Sequence, residues 1–452
     1  MTAENALLVA QLLFWIFAAG VAFLPPRWAF FCFILASHMD ITTVTFASAS
    51  TVGFENTIRI IGLPALLLVR TRFDPIRNLS WTLPHKAWLG LTIYVAIAGF
   101  WGGFPLSAVK MVAYLCAYFV LYWIFCGAWE AGWLDVGMMR LVGWCVIALA
   151  IVQTYALGNA WGGVEERFTS FSSPQYFAAC LVALLAILVF SGERGVFHYA
   201  TCGALIVAIV ASGSRYVFLS MIMLLFIASF RVVSGRQESF RWRLNIRRIL
   251  ITLALAAAAI AVLISYLPYN RIDQMVSAVS EGDSSIEDVG TLAWRLGIYS
   301  EIFSRLERRT IPQLFFGSGT SSGASLMVDY EPAINDKQSI DGNRALHSEY
   351  LRALYEWGIF GLGLLCTFLV ATIVGFARKM SAEGGGPALA FLGVLPSIVI
   401  GLAIENVLAG AASAAGVGIL LAMSFAWQME PEFSYAPSSA DEFSTDGPLL
   451  SA

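Results

Sequence analysis

Charge is the scarcest property of this chain. Asp, Glu, Lys and Arg make up 13% of its 452 residues, against about 25% in a soluble domain. A solvated globular surface is therefore excluded for most of the length. Histidine is also rare. The four, at positions 38, 85, 198 and 347, fall at different depths and on different faces, so no histidine-built metal site is expected. The seven cysteines lie in or beside apolar runs, which leaves no readable disulfide framework or thiolate metal site. No cofactor and no nucleic-acid partner are expected. The opening Met-Thr-Ala-Glu-Asn lacks a basic region and a convincing cleavage site, so the first apolar run reads as a retained span. No internal or inverted repeat stands out.

What the chain has instead is apolar runs of roughly 17–22 residues, each long enough to cross a hydrocarbon core as a helix. They recur from Ala6–Leu24 through Val136–Ala156 and Tyr216–Phe230 to Ala412–Trp427. Thirteen can be placed, and twelve are equally defensible because the first three crowd together. Only helices satisfy the backbone of such runs in lipid. The expected fold is an all-α polytopic membrane protein of about 12–13 transmembrane helices. Its expected parts are an N-terminal helix bundle over 1–267, a large polar loop with surface helices over 268–346, C-terminal spans over 347–427, and a disordered acidic tail over 428–452.

Short basic connections give the sidedness. Arg70, Arg72, Arg77 and Lys86 bracket one. Arg231, Arg236, Arg241, Arg243, Arg247 and Arg248 crowd another, and Arg378 with Lys379 marks a third. Counting spans between them keeps these three on the cytoplasmic side and puts the large loop outside. The outer side then collects Glu55 and Arg59 in the third span, Lys110 opening the fifth, Arg167, Arg215 in Ser212-Gly213-Ser214-Arg215, and Glu405 with Asn406. Charges at membrane depth are expensive and mark substrate paths. Cations dominate, so the expected ligand is anionic and lipid-borne.

Within the loop, apolar residues at 292, 296, 299, 302, 303 and 306 predict an amphipathic helix over Thr291–Arg309 lying on the outer surface. Glu301 and Arg305 suit an i,i+4 pair. Phe315–Gly319 reads as a turn, followed by a mobile acidic stretch. A new helix is expected near Leu346, with His347 where the next span leaves the membrane. Each residue also has a plain reading. Arg215 can anchor a helix end, Arg295 can be a solvated helix face, and His347 an idle interfacial histidine. Glu55 and Arg59 can be an intrahelical pair, and His38 with Asp40 a relay or a packing pair. The acid pair Asp329 and Glu331 reads as solvated rather than as a cation site.

Four stretches together resemble the O-antigen ligase and O-antigen polymerase superfamily. Arg344-Ala-Leu-His347-Ser-Glu-Tyr-Leu351 followed by Leu354-Tyr-Glu-Trp-Gly358-Ile-Phe-Gly361 is similar to its His…Glu-x-Gly signature. Arg167–Gln175, Ser212–Arg215 and Arg295–Gly319 follow its other motifs in order. Ser348 and Gln175 stand where Asn is commoner, and Tyr216 replaces a Gly. The resemblance implies a GT-C-like, metal-independent, inverting glycosyltransferase of the bacterial inner membrane with a periplasmic active site. Its donor would be a glycan on undecaprenyl diphosphate. Its acceptor would be a glycan (polymerase, for O-antigen or exopolysaccharide) or lipid A-core (ligase). Chain-length regulators or export proteins are further implied partners. Carried over by motif, Arg215 and Arg295 would bind the diphosphate and His347 would act as base, while Arg167, Lys110, Arg59 and Glu405 are candidate substrate contacts. The rival readings are a transporter or flippase using Glu55, Arg59 and Asp40 as a gated path, and a structural subunit of an export complex.

Overall fold

The computed structural model describes residues 3–39, 55, 57–71, 82–103, 105–156, 168–169, 174–193, 195–233, 241–244, 290–323, 325–326, 348–383 and 386–404. The expected spans Ile249–Leu267 and Ala412–Trp427, the acidic tail, Asp40, and the Asp329–Glu331 stretch lie outside the described residues.

The chain begins with helices α1 (Ala3–Phe23) and α2 (Pro26–His38). A π-helical turn, Ile58–Gly62, leads into α3 (Leu63–Thr71). Then come α4 (Leu83–Ala98), α5 (Pro105–Glu130) and α6 (Val136–Ile151), the last continuing into a second π-helical turn, Val152–Ala156. Helices α7 (Pro174–Phe190), α8 (Val196–Ala211) and α9 (Arg215–Ser229) follow. The polar segment contributes α10 (Gly290–Glu307) and α11 (Ile311–Phe316), and the bundle closes with α12 (Glu349–Glu383) and α13 (Gly386–Ile404). The architecture is that of an all-α polytopic membrane protein. Helices α5, α6 with its π-turn, and α12 are long and apolar enough to cross a bilayer, and α1, α7, α8, α9 and α13 contain shorter apolar helices.

Helix α7 is the centre. Every residue from Phe177 to Leu188 is buried, which fits a helix apolar all round. It packs on α6, α8, α9 and α13. Its run of Ala, Cys, Val and Leu has no polar side to turn outward. Elsewhere close approaches are made by small residues. A Cβ added at Gly20 in α1 would sit 2.5 Å from Cys32 Sγ in α2.

Contacts between connections sort into two sets at opposite ends of the bundle. At one end Arg27 pairs with Asp135 at 2.6 Å, Arg140 pairs with Glu193 at 2.9 Å, and Arg70 donates to the carbonyls of Val21 and Leu24. This end also carries the arginine-rich connection after α9. There the structure departs from a plain loop: β1 (Phe230–Val233) and β2 (Arg241–Leu244) form a two-stranded antiparallel ribbon with Arg231 opposite Arg243. At the other end Phe168 donates to Ala211, and Thr320 to Ala98. The grouping matches the expected parity of spans.

Replacing Gly20 by Leu is expected to force α1 and α2 apart and cost about 1–3 kcal/mol, as overpacking does. A lowered thermal unfolding midpoint of the purified protein checks this.

Candidate functional site

Helix α12 is helical throughout except at Gly358, where φ is +66° and ψ is −168°. Glycine reaches that region without steric cost. A break inside an apolar helix strips backbone carbonyls of their helical partners, and in a membrane such groups must be satisfied by protein. Here each is. The Tyr355 carbonyl accepts from Arg309 Nη1 at 2.8 Å and from Ser318 N at 3.2 Å. The Glu356 carbonyl accepts from Gly319 N at 2.8 Å. The Tyr94 hydroxyl, from α4, lies 3.1 Å from the Trp357 carbonyl and 2.9 Å from the Phe316 carbonyl, and its single proton is shared between them.

Two of the four donors, Ser318 N and Gly319 N, come from the glycine-rich turn after α11, so this turn is a packing element of the bundle. Phe315 and Phe316, expected to begin a turn, instead end α11, whose start is fixed by a capping box of Thr310 and Gln313. The turn then enters between α4 and α12. Thr320 donates its N–H to Ala98 and its hydroxyl to Val95, and accepts from Trp357 Nε1 at 3.2 Å. Side chains are excluded where backbones touch. A Cβ on Gly102 would lie 2.1 Å from the Thr320 carbonyl oxygen, and one on Gly319 would lie 2.4 Å from Gly102 N. Gly317 and Gly319 also hold positive φ values of 76° and 96°, as does the non-glycine Ser321 at 69°.

Beneath the turn lies a buried charged group that sequence reasoning missed. Glu349, Arg352 and Glu356 lie on one side of α12, each no more than 3% exposed. Arg352 Nε is 3.3 Å from Glu356 Oε2, and its Nη1 is 3.8 Å from Glu349 Oε2. The Glu356 carboxylate also accepts from Ser321 N at 2.8 Å and from Gly323 N at 3.2 Å. Acids at this spacing from an arginine normally read as a solvated i,i+3 and i,i+4 network. The available signal was their position between the motif histidine and Gly358.

The amphipathic helix α10 occupies nearly the expected span. It does not simply lie on the outer surface. Ile298, Ile302 and Leu306 are buried in a small cluster with Leu326 and Tyr355, and Tyr299 donates to the Ala403 carbonyl of α13 at 3.3 Å. The Glu301–Arg305 pair forms at 2.7 Å. Arg309 stacks 4.0 Å from the Tyr355 ring centre. Burial pulls its guanidinium pKa down from its ordinary value, and Tyr355 works against that shift.

The sequence-derived candidates distribute as follows. Arg215 is the first residue of α9, and Arg295 lies in the second turn of α10. Lys110 is exposed in the first turns of α5. Arg59 is buried in the first π-turn, where its Nη1 donates to the Met39 carbonyl at 2.7 Å and so caps α2. Glu55 is held by Gln11 Nε2 at 3.1 Å, so both charges are engaged by groups on other helices. His38 is fully buried, its ring 6.1 Å from that of Phe177. His347, Arg167 and Glu405 lie outside the described residues. Helix α12 is described from Glu349, two residues after His347. Among the described residues no group of three His, Cys, Asp or Glu could hold a metal ion.

One end of the bundle thus gathers the starts of α5, α9 and α12, the end of α13, and α10 with the glycine-rich turn. Tyr350 donates to Val399 at 3.4 Å, which ties α12 to α13 there. Replacing Tyr94 by Phe is expected to remove the donor that the Trp357 and Phe316 carbonyls share and to cost about 1–3 kcal/mol. Thermal unfolding measures it, and an unchanged midpoint would remove the hydroxyl from this account.

No curated protein matches the chain. Residues 200–366 match the family model described as O-antigen ligase, from α8 into α12 and across the Ser212–Arg215, Arg295–Gly319 and Arg344–Gly361 motifs, though not the Arg167 stretch. Over that stretch the chain is similar to the O-antigen ligase family, in agreement with the resemblance its motifs carry.

Proposed function

We propose that this protein transfers a glycan from undecaprenyl diphosphate to an acceptor hydroxyl at the periplasmic face of the bacterial inner membrane, with inversion and without a metal. The observation that carries this reading is the common location of three elements. The first residue of α9 (Arg215), the helix that bears Arg295, and the residues just after His347 all belong to one end of the bundle. That end lies opposite the arginine-rich connections, which are cytoplasmic by the positive-inside rule.

The chemistry asks for those residue types. The acceptor oxygen attacks the anomeric carbon as the bond to the diphosphate oxygen breaks, and charge accumulates on the leaving diphosphate. Guanidinium groups of Arg215 and Arg295 neutralise that charge through paired N–H bonds. A sugar hydroxyl is a weak nucleophile, and His347, an imidazole side chain suited to general-base work, takes its proton in the transition state. Arg167, Lys110, Arg59 and Glu405 are the candidate contacts for donor and acceptor. For Arg59 this role is secondary to capping α2, since its Nη1 is already bound to Met39. The acceptor is either a further glycan or lipid A-core. Loss of polymer with a single unit retained in a deletion strain identifies a polymerase, whereas polymer stranded on the lipid carrier identifies a ligase.

In a reconstituted assay with a polyprenyl-diphosphate glycan, His347→Ala and Arg295→Ala are expected to abolish transfer while the protein still inserts in the membrane. Near-normal product from either variant would refute the assignment. Arg215→Lys should transfer poorly, because an ammonium cannot copy a bidentate guanidinium. EDTA should leave the rate unchanged, and inhibition reversed by Mg²⁺ would return the Asp329–Glu331 pair to consideration.

A further inference from the structure

The carboxylate of Glu356 makes contacts in two directions. Along α12 it binds Arg352, and across the interface it accepts the N–H groups of Ser321 and Gly323. Arg352 Nε and Ser321 N meet at Oε2 and Gly323 N reaches Oε1, so both oxygens accept. A buried carboxylate is costly unless it is paired, and Arg352, itself 3% exposed, supplies the pairing. The Glu356 carbonyl accepts from Gly319 in the same place, so one residue holds the turn by main chain and side chain together. On its far side the turn is closed by Gly102 and Ala98 of the α4–α5 connection. On its near side it continues from α11 and α10.

We propose that Glu356 and Arg352 are a positioning pair for glycan transfer. They fix the glycine-rich turn, and through it α10, against the first turns of α12. The catalytic consequence rests on the transfer reading above, whereas the mechanical claim does not. Arg295 is carried by α10, and His347 is two residues before Glu349, where α12 starts. The carboxylate therefore sits at the joint between the helix that neutralises the leaving group and the helix that follows the proton acceptor. Slack at that joint separates the two groups. A displacement of about 1 Å between reacting partners costs on the order of a hundredfold in rate. Neither residue of the pair need touch substrate for this to hold.

The test uses the full chain in nanodiscs with a synthetic polyprenyl-diphosphate glycan as donor. Spin labels at Glu307→Cys, the exposed last residue of α10, and at the native exposed Cys366 of α12 report the joint. The other exposed cysteine, Cys116, is replaced by Ser. Glu356→Gln is expected to lower kcat by about tenfold to a hundredfold, to leave the donor KM near its original value, and to broaden the 307–366 distance distribution. Gly102→Ala displaces the same turn through Thr320 without touching a charge and should give the same pattern. It also carries the measurement should Glu356→Gln fail to accumulate in the membrane. An unchanged kcat overturns the proposal. So does a reduced kcat with a distribution as narrow as the parent protein's, because Glu356 would then act on substrate directly. If His347→Ala retained full transfer, the functional reading would fall, while the label distances would still decide whether the joint exists.

Discussion

A backbone carbonyl without a donor is among the costliest things a membrane protein can contain, and the break of α12 at Gly358 exposes several to that fate. The solution found here is to bring a polar turn into the bundle and let its N–H groups, one arginine and one tyrosine hydroxyl take over. Most of what is distinctive about this end of the molecule follows. The turn must approach main chain to main chain, so Gly102, Gly317, Gly319 and Gly358 admit no side chain. It must be held there, so Glu356 is buried. A buried carboxylate needs a partner, so Arg352 is buried with it.

The same arrangement changes the character of the polar segment. A long hydrophilic insertion between two apolar spans is easily pictured as a cover lying over the bundle. Its described part, 290–323, is built into the bundle instead. Helix α10 buries Ile298, Ile302 and Leu306 against Tyr355, and the turn behind α11 fills the space between α4 and α12. Whatever chemistry α10 supports is thereby indexed to α12 and α13, not left to a loop. Rigid elements hold reacting groups more precisely than loops do, and a reaction with a charged leaving group and an unactivated hydroxyl requires that precision.

Much of this was legible in the sequence where the controlling forces are local. Hydropathy located the helices, basic residues sorted their connections, and the 3.6-residue period outlined α10 with its Glu301–Arg305 pair. What escaped was decided by partners distant in sequence. Arg59 reads as an intrahelical partner of Glu55 until its guanidinium is found on a carbonyl 20 residues away. Glu349, Arg352 and Glu356 read as a solvated helix face because their spacing is that of a surface network. Their burial comes from a turn more than 30 residues upstream. The glycines at 317 and 319 read as part of a turn, whereas close backbone contact is what requires them. The ribbon after α9 pairs Arg231 with Arg243, and like charges directly opposite give no local hint of strand pairing.

The commitments of the arginines narrow which of them can serve the transferred group. A guanidinium already bound to a carboxylate cannot neutralise a departing diphosphate without first abandoning its partner. In a buried setting that exchange leaves an unpaired carboxylate and costs several kcal/mol. Arg352, between Glu349 and Glu356, is excluded on this ground despite being the most deeply buried cation near the break. Arg309 is spent on the Tyr355 carbonyl and ring, and withdrawing it would reopen the break it closes. Arg305 is paired with Glu301, though that pair is half-exposed and cheaper to give up. On the proposed transfer reading, leaving-group charge would therefore fall on arginines outside this framework, and Arg215 and Arg295, the first residue of α9 and a residue of α10, are the two that the motif resemblance singles out. The buried triad and the motif arginines would then divide the work: Arg352 holds a helix against the turn, and the motif arginines would meet the anion.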